Sequence, residues 1–306
     1  MESILLGVFE QGMIYSIMAM GIFITYAILD FPDMTTDGSF PLGGAVTVAL
    51  MTSGITGIAV FGLVIPSYIV ALPLAFIVGA AAGVLTGVIH VKFKVRDLIS
   101  GIIMMTALFT INLRVAGSAN VPIFSRDNMF MNPLVSSVFT GNGKKYSTLL
   151  IIFFVVLICK LILDAYLRTR SGLLLRAVGD NPQFVTTLAR DKGNVKILGL
   201  AIANGLIALS GSLMAQWQRV FDLQQGTGTM VIGLASVIVG MSLTKGFSFI
   251  RATTAVILGS IIYRGCIAIA IRFGMSANDL KLITAALLFV ILVLSREKKK
   301  KVAHHA

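Results

Sequence analysis

Apolar residues along this chain come in long uninterrupted runs, not in the alternation of a half-buried strand or the one-sided stripe of a surface helix. A helical bilayer crossing needs about 20 such residues. Segments of this kind lie at 4–29, 41–60, 64–90, 98–116, 147–167, 195–217, 229–245, 248–272 and 279–295. The pattern predicts an all-α integral membrane protein, a polytopic helical bundle of about nine segments, some broken or re-entrant. Two segments are irregular. The second follows a polar stretch from Asp30 to Ser39, and the seventh is short and bracketed by Gly226 and Gly246.

Composition narrows the picture further. The 306 residues are 57% hydrophobic and only 12% charged, with a mean hydropathy of +0.93, well outside the soluble range. Thirteen acidic residues are too few to solvate a soluble surface of this size. The net charge of +12 and the pI near 10 would point to nucleic acid in a soluble protein. Here the basic residues sit in short loops between apolar runs, so they mark topology, and the expected partner is the lipid bilayer, with no nucleic acid. Loops 91–97, 168–196 and 245–251 together with the tail from Arg296 carry 16 Lys and Arg, against 7 on the other side. By the positive-inside rule the C-terminus is cytoplasmic in a multi-pass cell-membrane protein, and nine spans put the N-terminus outside. A re-entrant segment near 30–45 would change that parity. Met-Glu-Ser at the start lacks the basic region of a cleavable signal, so the first segment is expected to be retained.

Catalytic signatures are missing. The chain has no phosphate-binding glycine loop with its Lys-Ser/Thr, no zinc-protease His-Glu-x-x-His, no Gly-x-Ser-x-Gly and no Cys-x-x-Cys. Cys159 and Cys266 both fall within apolar runs, where a free thiol behaves as a small hydrophobe. His90 stands at a span end, an interfacial position. No catalytic residue, cofactor or metal site is therefore expected. Uphill transport would draw its energy from a partner subunit or an ion gradient.

Chemistry is carried instead by polar residues in unusual places. Ionisable groups inside a membrane face a cavity or pair with one another. Lys160 and Asp164, four residues apart, can pair along one helix face. Glu10 and Arg264 lie roughly 9 Å and 12 Å below the same membrane face, which predicts a buried ion pair. Asp30, Asp33 and Asp37 in the first polar break, and Asp222, Gln224 and Gln225 in the second, precede Gly-rich apolar spans. Two readings are open for these breaks: broken helices lining a translocation pathway, or ordinary loops. Gly79, Gly83 and Gly87 make one face of the third span nearly flat, for tight packing within the bundle or for a dimer seam.

The loop 168–196 is the most informative stretch. Asp180 and Asn181 can cap a helix whose first turn accepts Pro182, and Phe184, Val185, Leu188 and Ala189 give it one apolar face. Gly193 ends it. Such a helix suits a groove on a partner protein or the lipid interface.

Here the sequence resembles a known family. The run Gly172-Leu-Leu-Leu-Arg-Ala-Val-Gly-Asp-Asn-Pro182, with Asn194-Val-Lys-Ile-Leu-Gly199 and the small-residue span ending Ala208-Leu-Ser-Gly-Ser-Leu-Met-Ala-Gln216, is similar to permease subunits of the branched-chain amino acid and ribose-type ABC importers. The first polar break looks more like a subfamily often assigned to aromatic amino acid (tryptophan or tyrosine) uptake. The resemblance implies a single permease domain over 1–306 that moves a small polar solute, an amino acid, inward by alternating access. It also implies two cytoplasmic ATP-binding subunits that hydrolyse ATP, an extracytoplasmic solute-binding protein and a second permease copy. Arg176, Ala177, Val178, Gly179, Asp180, Asn181 and Pro182 would sit at the ATPase-docking surface, with Phe184 beside them. Relatives carry small residues after the Asn where this chain has Pro182-Gln-Phe184. The rival reading from the residues alone is an ion-coupled secondary transporter.

Overall fold

The computed structural model describes residues 2–54, 57–60, 63–138, 143–180, 192–244 and 250–273, with isolated helical positions between Leu282 and Val290. The expected ninth span is described only at those positions, and the basic tail lies outside the described residues. Among those described, seven helices are long and apolar enough to cross a bilayer. They are α1 (Glu2–Ile22) with its π-helical extension Phe23–Ile28, α3 (Ser67–Val91), α4 (Asp97–Ala116), α6 (Lys144–Tyr166), α8 (Lys192–Gln218), α9 (Thr229–Thr244) with the 3-10 turn before it, and α10 (Ala252–Arg272). Three shorter helices complete the set: α2 (Thr36–Thr52), α5 (Pro133–Val138) and α7 (Arg170–Asp180).

The second predicted span needs correction. Its helix starts earlier, at Thr36, and stops at Thr52 rather than running to 60. Gly54, at φ +81°, turns the chain out of the helix. The β-branched residues that follow pair as a hairpin instead, β1 (Gly57–Val60) against β2 (Leu63–Pro66). At the same end of the bundle β3 (Asn120–Pro122) pairs antiparallel with β4 (Val220–Asp222), tying the chain after α4 to the chain after α8.

The outer surface is apolar, unlike that of a soluble protein, and the centre mixes large apolar side chains such as Ile14, Met18 and Phe40 with small and polar ones. α4 and α6 turn Ile102, Ile103, Phe109, Phe153, Phe154 and Ile162 outward, as lipid-facing helices do. α8 runs through the middle, and the glycine series of α3 lies against it. A Cβ at Gly79 would meet Asn204 and Ala208, one at Gly83 the Leu200 carbonyl, and one at Gly87 the Ile197 backbone. The flat face thus serves packing within this chain. Lipid tails supply no hydrophobic drive between helices, so close backbone approach and dispersion must hold α3 to α8.

The same contacts set direction. α3 and α8 are antiparallel, and the ends of α3 and α6 gather with the beginnings of α4, α8 and α10 at one pole. This basic pole carries Lys92, Arg96, Arg168, Arg170, Lys196 and Arg251. His90 caps it with Nδ1 2.9 Å from the Val95 carbonyl and Nε2 3.4 Å from Lys196 Nζ, as an interfacial residue should. Lys160 and Asp164 form the expected i,i+4 salt bridge at 2.9 Å. Asp164 also accepts from Arg251 at 3.1 Å and from Thr253 at 2.6 Å, which joins α6 to the start of α10.

Gly83→Val should lower thermal stability in detergent by about 1–3 kcal/mol or more, because the added carbons overlap backbone that has no room to move. Gly7→Ala, which meets nothing within 4 Å, should leave the melting temperature unchanged.

Candidate functional site

The first polar break begins where α1 unwinds. Leu29 N–H bonds the Ile24 carbonyl at 3.0 Å, five residues back, so the last turn is π-helical. Such insertions widen a helix and collect at functional places. Asp30 then takes a left-handed conformation at φ 51° and faces the exterior, a position Asp tolerates better than most residues.

Beyond it the chain turns back into the bundle. Asp33 is 1% exposed and its carboxylate accepts from the Thr35 N–H at 2.9 Å, closing an Asx turn, and from Asn204 Nδ2 at 2.7 Å. Asn204 Oδ1 accepts from Ser39 Oγ at 2.7 Å. Thr35 and Thr86 share a hydroxyl–hydroxyl bond at 2.8 Å. Further along the same seam Thr47 Oγ1 donates to Ser212 at 2.6 Å. α2 therefore rises alongside α8, from mid-bundle toward the pole opposite the basic one. Asp33, Asn204, Ser39, Thr35, Thr86, Thr47 and Ser212 each have a partner here, as a low-dielectric setting requires.

The second break descends to meet the first. After β4, Asp222 caps its own turn by accepting from the Gln224 N–H at 2.9 Å. Gln225 Nε2 donates to Gln218 Oε1 at 2.7 Å. α9 then starts inside the bundle and runs the other way, toward the basic pole, with Gly233 beside Ile22 and Gly240 beside Ala255. Asp37, in the first turn of α2, reaches across to the start of α9. Its carboxylate accepts from the Gly228 N–H and the Met230 N–H, each at 2.9 Å, and from Thr229 Oγ1 at 3.0 Å. One carboxylate from α2 so satisfies the exposed donors of another helix and sits at the positive end of its dipole.

Pro41 sharpens the joint. Lacking an N–H, it cannot bond the Asp37 carbonyl four residues earlier. That carbonyl turns to Gly226, where a Cβ would collide with it and with the Pro41 ring. Two interrupted helices, α2 and α9, thus start from one point and diverge toward opposite poles.

Comparison with known proteins matches this sequence over nearly its full length. The family model described as branched-chain amino acid transport system, permease component, covers residues 4–293. The chain belongs to this permease family. It is 45% identical over 288 residues to a tyrosine transport system permease protein of Clostridioides difficile, covering 94% of this chain and 90% of that one. It is 26% identical to a probable branched-chain amino acid transport permease protein of Methanocaldococcus jannaschii, covering 78% of this chain and 75% of that one. An uncharacterized protein of Rickettsia prowazekii is 27% identical over 95% of the permease chain and 97% of its own. No solved structure matches.

The polar residues singled out from the sequence divide in the permease. Asp33 and Asp37 enter the buried joint, and Gln225 reaches Gln218. Asp222 serves its own turn, and Gln224 and Asp30 are exposed. Asn204, Ser39, Thr35, Thr86 and Thr229 were not anticipated. Asn204 alone carried a signal, as an amide in the middle of an apolar span.

The expected ion pair between Glu10 and Arg264 does not form. Glu10 accepts from Trp217 Nε1 at 2.9 Å, and the Arg264 guanidinium carbon lies 3.8 Å from the centre of the Tyr15 ring. Equal depth placed them in the same layer but not on facing sides, since rotation about each helix axis is set by packing.

At the basic pole, residues Arg176 to Asp180 lie in α7, a helix before Asn181 that the sequence reading did not include. Leu175 and Val178 are buried, and Gly179 presses on the Ile28 carbonyl. Arg176 is exposed and lines a cavity of about 520 Å³ together with Ile28, Asp164 and Arg251. Asn181, Pro182 and Phe184, with the helix expected after them, lie outside the described residues.

Asp37→Ala should cost about 0.5–2 kcal/mol in thermal unfolding, the usual loss when a helix cap is removed; Asp222→Ala, at a short exposed turn, should cost less. Glu10→Gln and Arg264→Met, which share no partner, should give additive losses in a double-mutant cycle. A coupling energy above about 0.5 kcal/mol would restore the ion pair.

Proposed function

We propose that this permease is the membrane subunit of a binding-protein-dependent ABC importer that carries an amino acid inward, an aromatic one in the first instance. The observation that carries the reading is the 45% identity, over nearly all of both chains, to a protein named as a tyrosine transport permease. The working unit is two permease copies with two cytoplasmic ATP-binding subunits and an extracytoplasmic solute-binding protein. The basic pole faces the cytoplasm, as its Lys and Arg surplus predicts.

In this reading the joint is the moving part of alternating access. α7 docks on the ATP-binding subunit through Arg176 and neighbouring residues, while Gly179 rests on Ile28 at the end of the π segment. Closure of the ATPase pair pushes α7, and the push passes through the π turn into the break that holds Asp33 and Asp37. Asp37 grips the start of α9, so α2 and α9 shift together and one gate opens as the other shuts. A π turn suits this role because its helical bonds can be traded between four- and five-residue partners with little loss.

The ion-coupled alternative gains no support from the buried charges. Asp164 is bound to both Lys160 and Arg251, and Glu10 holds Trp217.

Co-reconstitution of the permease with its ATP-binding subunit in liposomes, supplied with the solute-binding protein and L-tyrosine, tests the reading. Uptake should require ATP and survive an ionophore, and Arg176→Glu should cut it at least about tenfold, the effect of losing one strong interface contact, with unchanged membrane insertion. Uptake that persists without the ATPase and collapses with the ionophore would establish the ion-coupled mechanism instead.

A further inference from the structure

A cavity of about 320 Å³ opens in the half of the permease away from the basic pole, within the range of small-molecule sites, roughly 300–1,000 Å³. α1 lines it with Gln11 and Tyr15, α8 with Gln218, the descending second break with Gln225 and α10 with Arg264. Four segments of the chain that are far apart in sequence send polar groups to one place. Nothing in the joint of α2 and α9 requires them to do so.

Arg264 is the one charged residue in the lining, and it stands well inside the span of α10. No described carboxylate lies within salt-bridge reach of it. Its Nε is buried without a hydrogen-bond partner. The guanidinium rests on the Tyr15 ring, and Tyr15 is itself stacked on Phe40 of α2, with centroids 5.7 Å apart and planes 5° from parallel. A cation held in a membrane span without an anion is costly. The aromatic face returns part of that cost and fixes the orientation of the guanidinium, whose fork of N–H donors matches a carboxylate in bidentate fashion. A static structural Arg would have its fork filled by protein oxygens. This one is held by its flat face beside three primary amides.

We infer that this cavity is a carboxylate-binding station on the solute route, in which Arg264 takes the α-carboxylate of the transported amino acid and Gln11, Gln218 and Gln225 supply the polar wall. The identity of the solute rests on the importer reading above; recognition of a carboxylate rests on the cavity alone. Strict dependence on an anion would follow, since the amide of the same amino acid offers no charge to the guanidinium. Gln225 connects the station to the machinery, because it belongs to the segment that leads directly into α9, three residues before Gly228.

Trp217, the only tryptophan, is adjacent in sequence to Gln218 and bonded to Glu10, so it reports on the cavity. Purified permease in detergent is titrated with L-phenylalanine and with L-phenylalaninamide while Trp217 fluorescence is followed. The acid should give a saturable change at a concentration at least about tenfold lower than the amide, a step of one charge-assisted pair. Arg264→Met should abolish the response, Arg264→Lys should weaken it, and Gln225→Leu, which leaves the guanidinium in place, should weaken it less than Arg264→Met. In reconstituted uptake of L-tyrosine, Arg264→Lys should raise KM more than it lowers kcat. Equal response to acid and amide, an unaltered response in Arg264→Met, or no saturable response in the wild type overturns the station. If Arg264→Met does not fold, the acid–amide comparison in the wild type and in Gln225→Leu decides. ATP-driven uptake with an unchanged KM in Arg264→Lys removes the station and leaves the importer. Carboxylate-selective titration without ATP-driven uptake does the reverse.

Discussion

Close backbone contact along the middle of α8 is the constraint on which the permease depends. Between Leu200 and Gly211 this helix receives Gly79 and Gly83 from α3 and Gly43 from α2, and offers Gly211 to the Phe40 carbonyl of α2. In lipid, side-chain burial gives no net gain over contact with acyl chains, so helices associate through dispersion at short range and through polar bonds. Small residues make both available. They bring α2 near enough to α8 for Ser39 to reach Asn204 and Thr47 to reach Ser212, and those bonds then hold a helix of 17 residues that is too short to span alone.

That shortness has a use. A full crossing would satisfy its own backbone from end to end and leave nothing to act on. By starting inside the bundle, α2 and α9 each bring unsatisfied N–H groups to the interior, which is tolerable only where protein supplies acceptors. Asp37 does so for α9, and the Asp33 carboxylate does so for the Thr35 N–H in the turn before α2, where the Thr36 hydroxyl donates to the Asp33 carbonyl. The breaks are consequently rigid in composition but few in bonds. A handful of hydrogen bonds from the Asp37 carboxylate joins the two diverging helices.

The charges are distributed by the same logic. Toward the basic pole Asp164 gathers Lys160, Arg251 and Thr253 into a closed network that fastens α6 to α10. Toward the other pole Glu10 and Arg264 each find an aromatic partner instead of one another. Trp217 and Tyr15 can satisfy a single charge through one N–H or a π face without enclosing it. The first arrangement is a clamp, while the second leaves a guanidinium fork turned toward a cavity.

Much of this was legible in the sequence. Run length located seven of the spans to within a few residues among those described, because in a bilayer hydropathy and backbone satisfaction act along the chain and need no tertiary partner. Lys160 with Asp164 was legible too, since helix geometry alone brings residues four apart together, and the glycine series of α3 announced a close neighbour without naming α8. The stop at Gly54, the helix α7, the separation of Glu10 from Arg264 and the grip of Asp37 on α9 were decided elsewhere. Each depends on how far a helix is rotated about its axis or on which chain end arrives at which depth. Composition and period carry no information on either, and the packing of α2, α3 and α8 around their small residues supplies both.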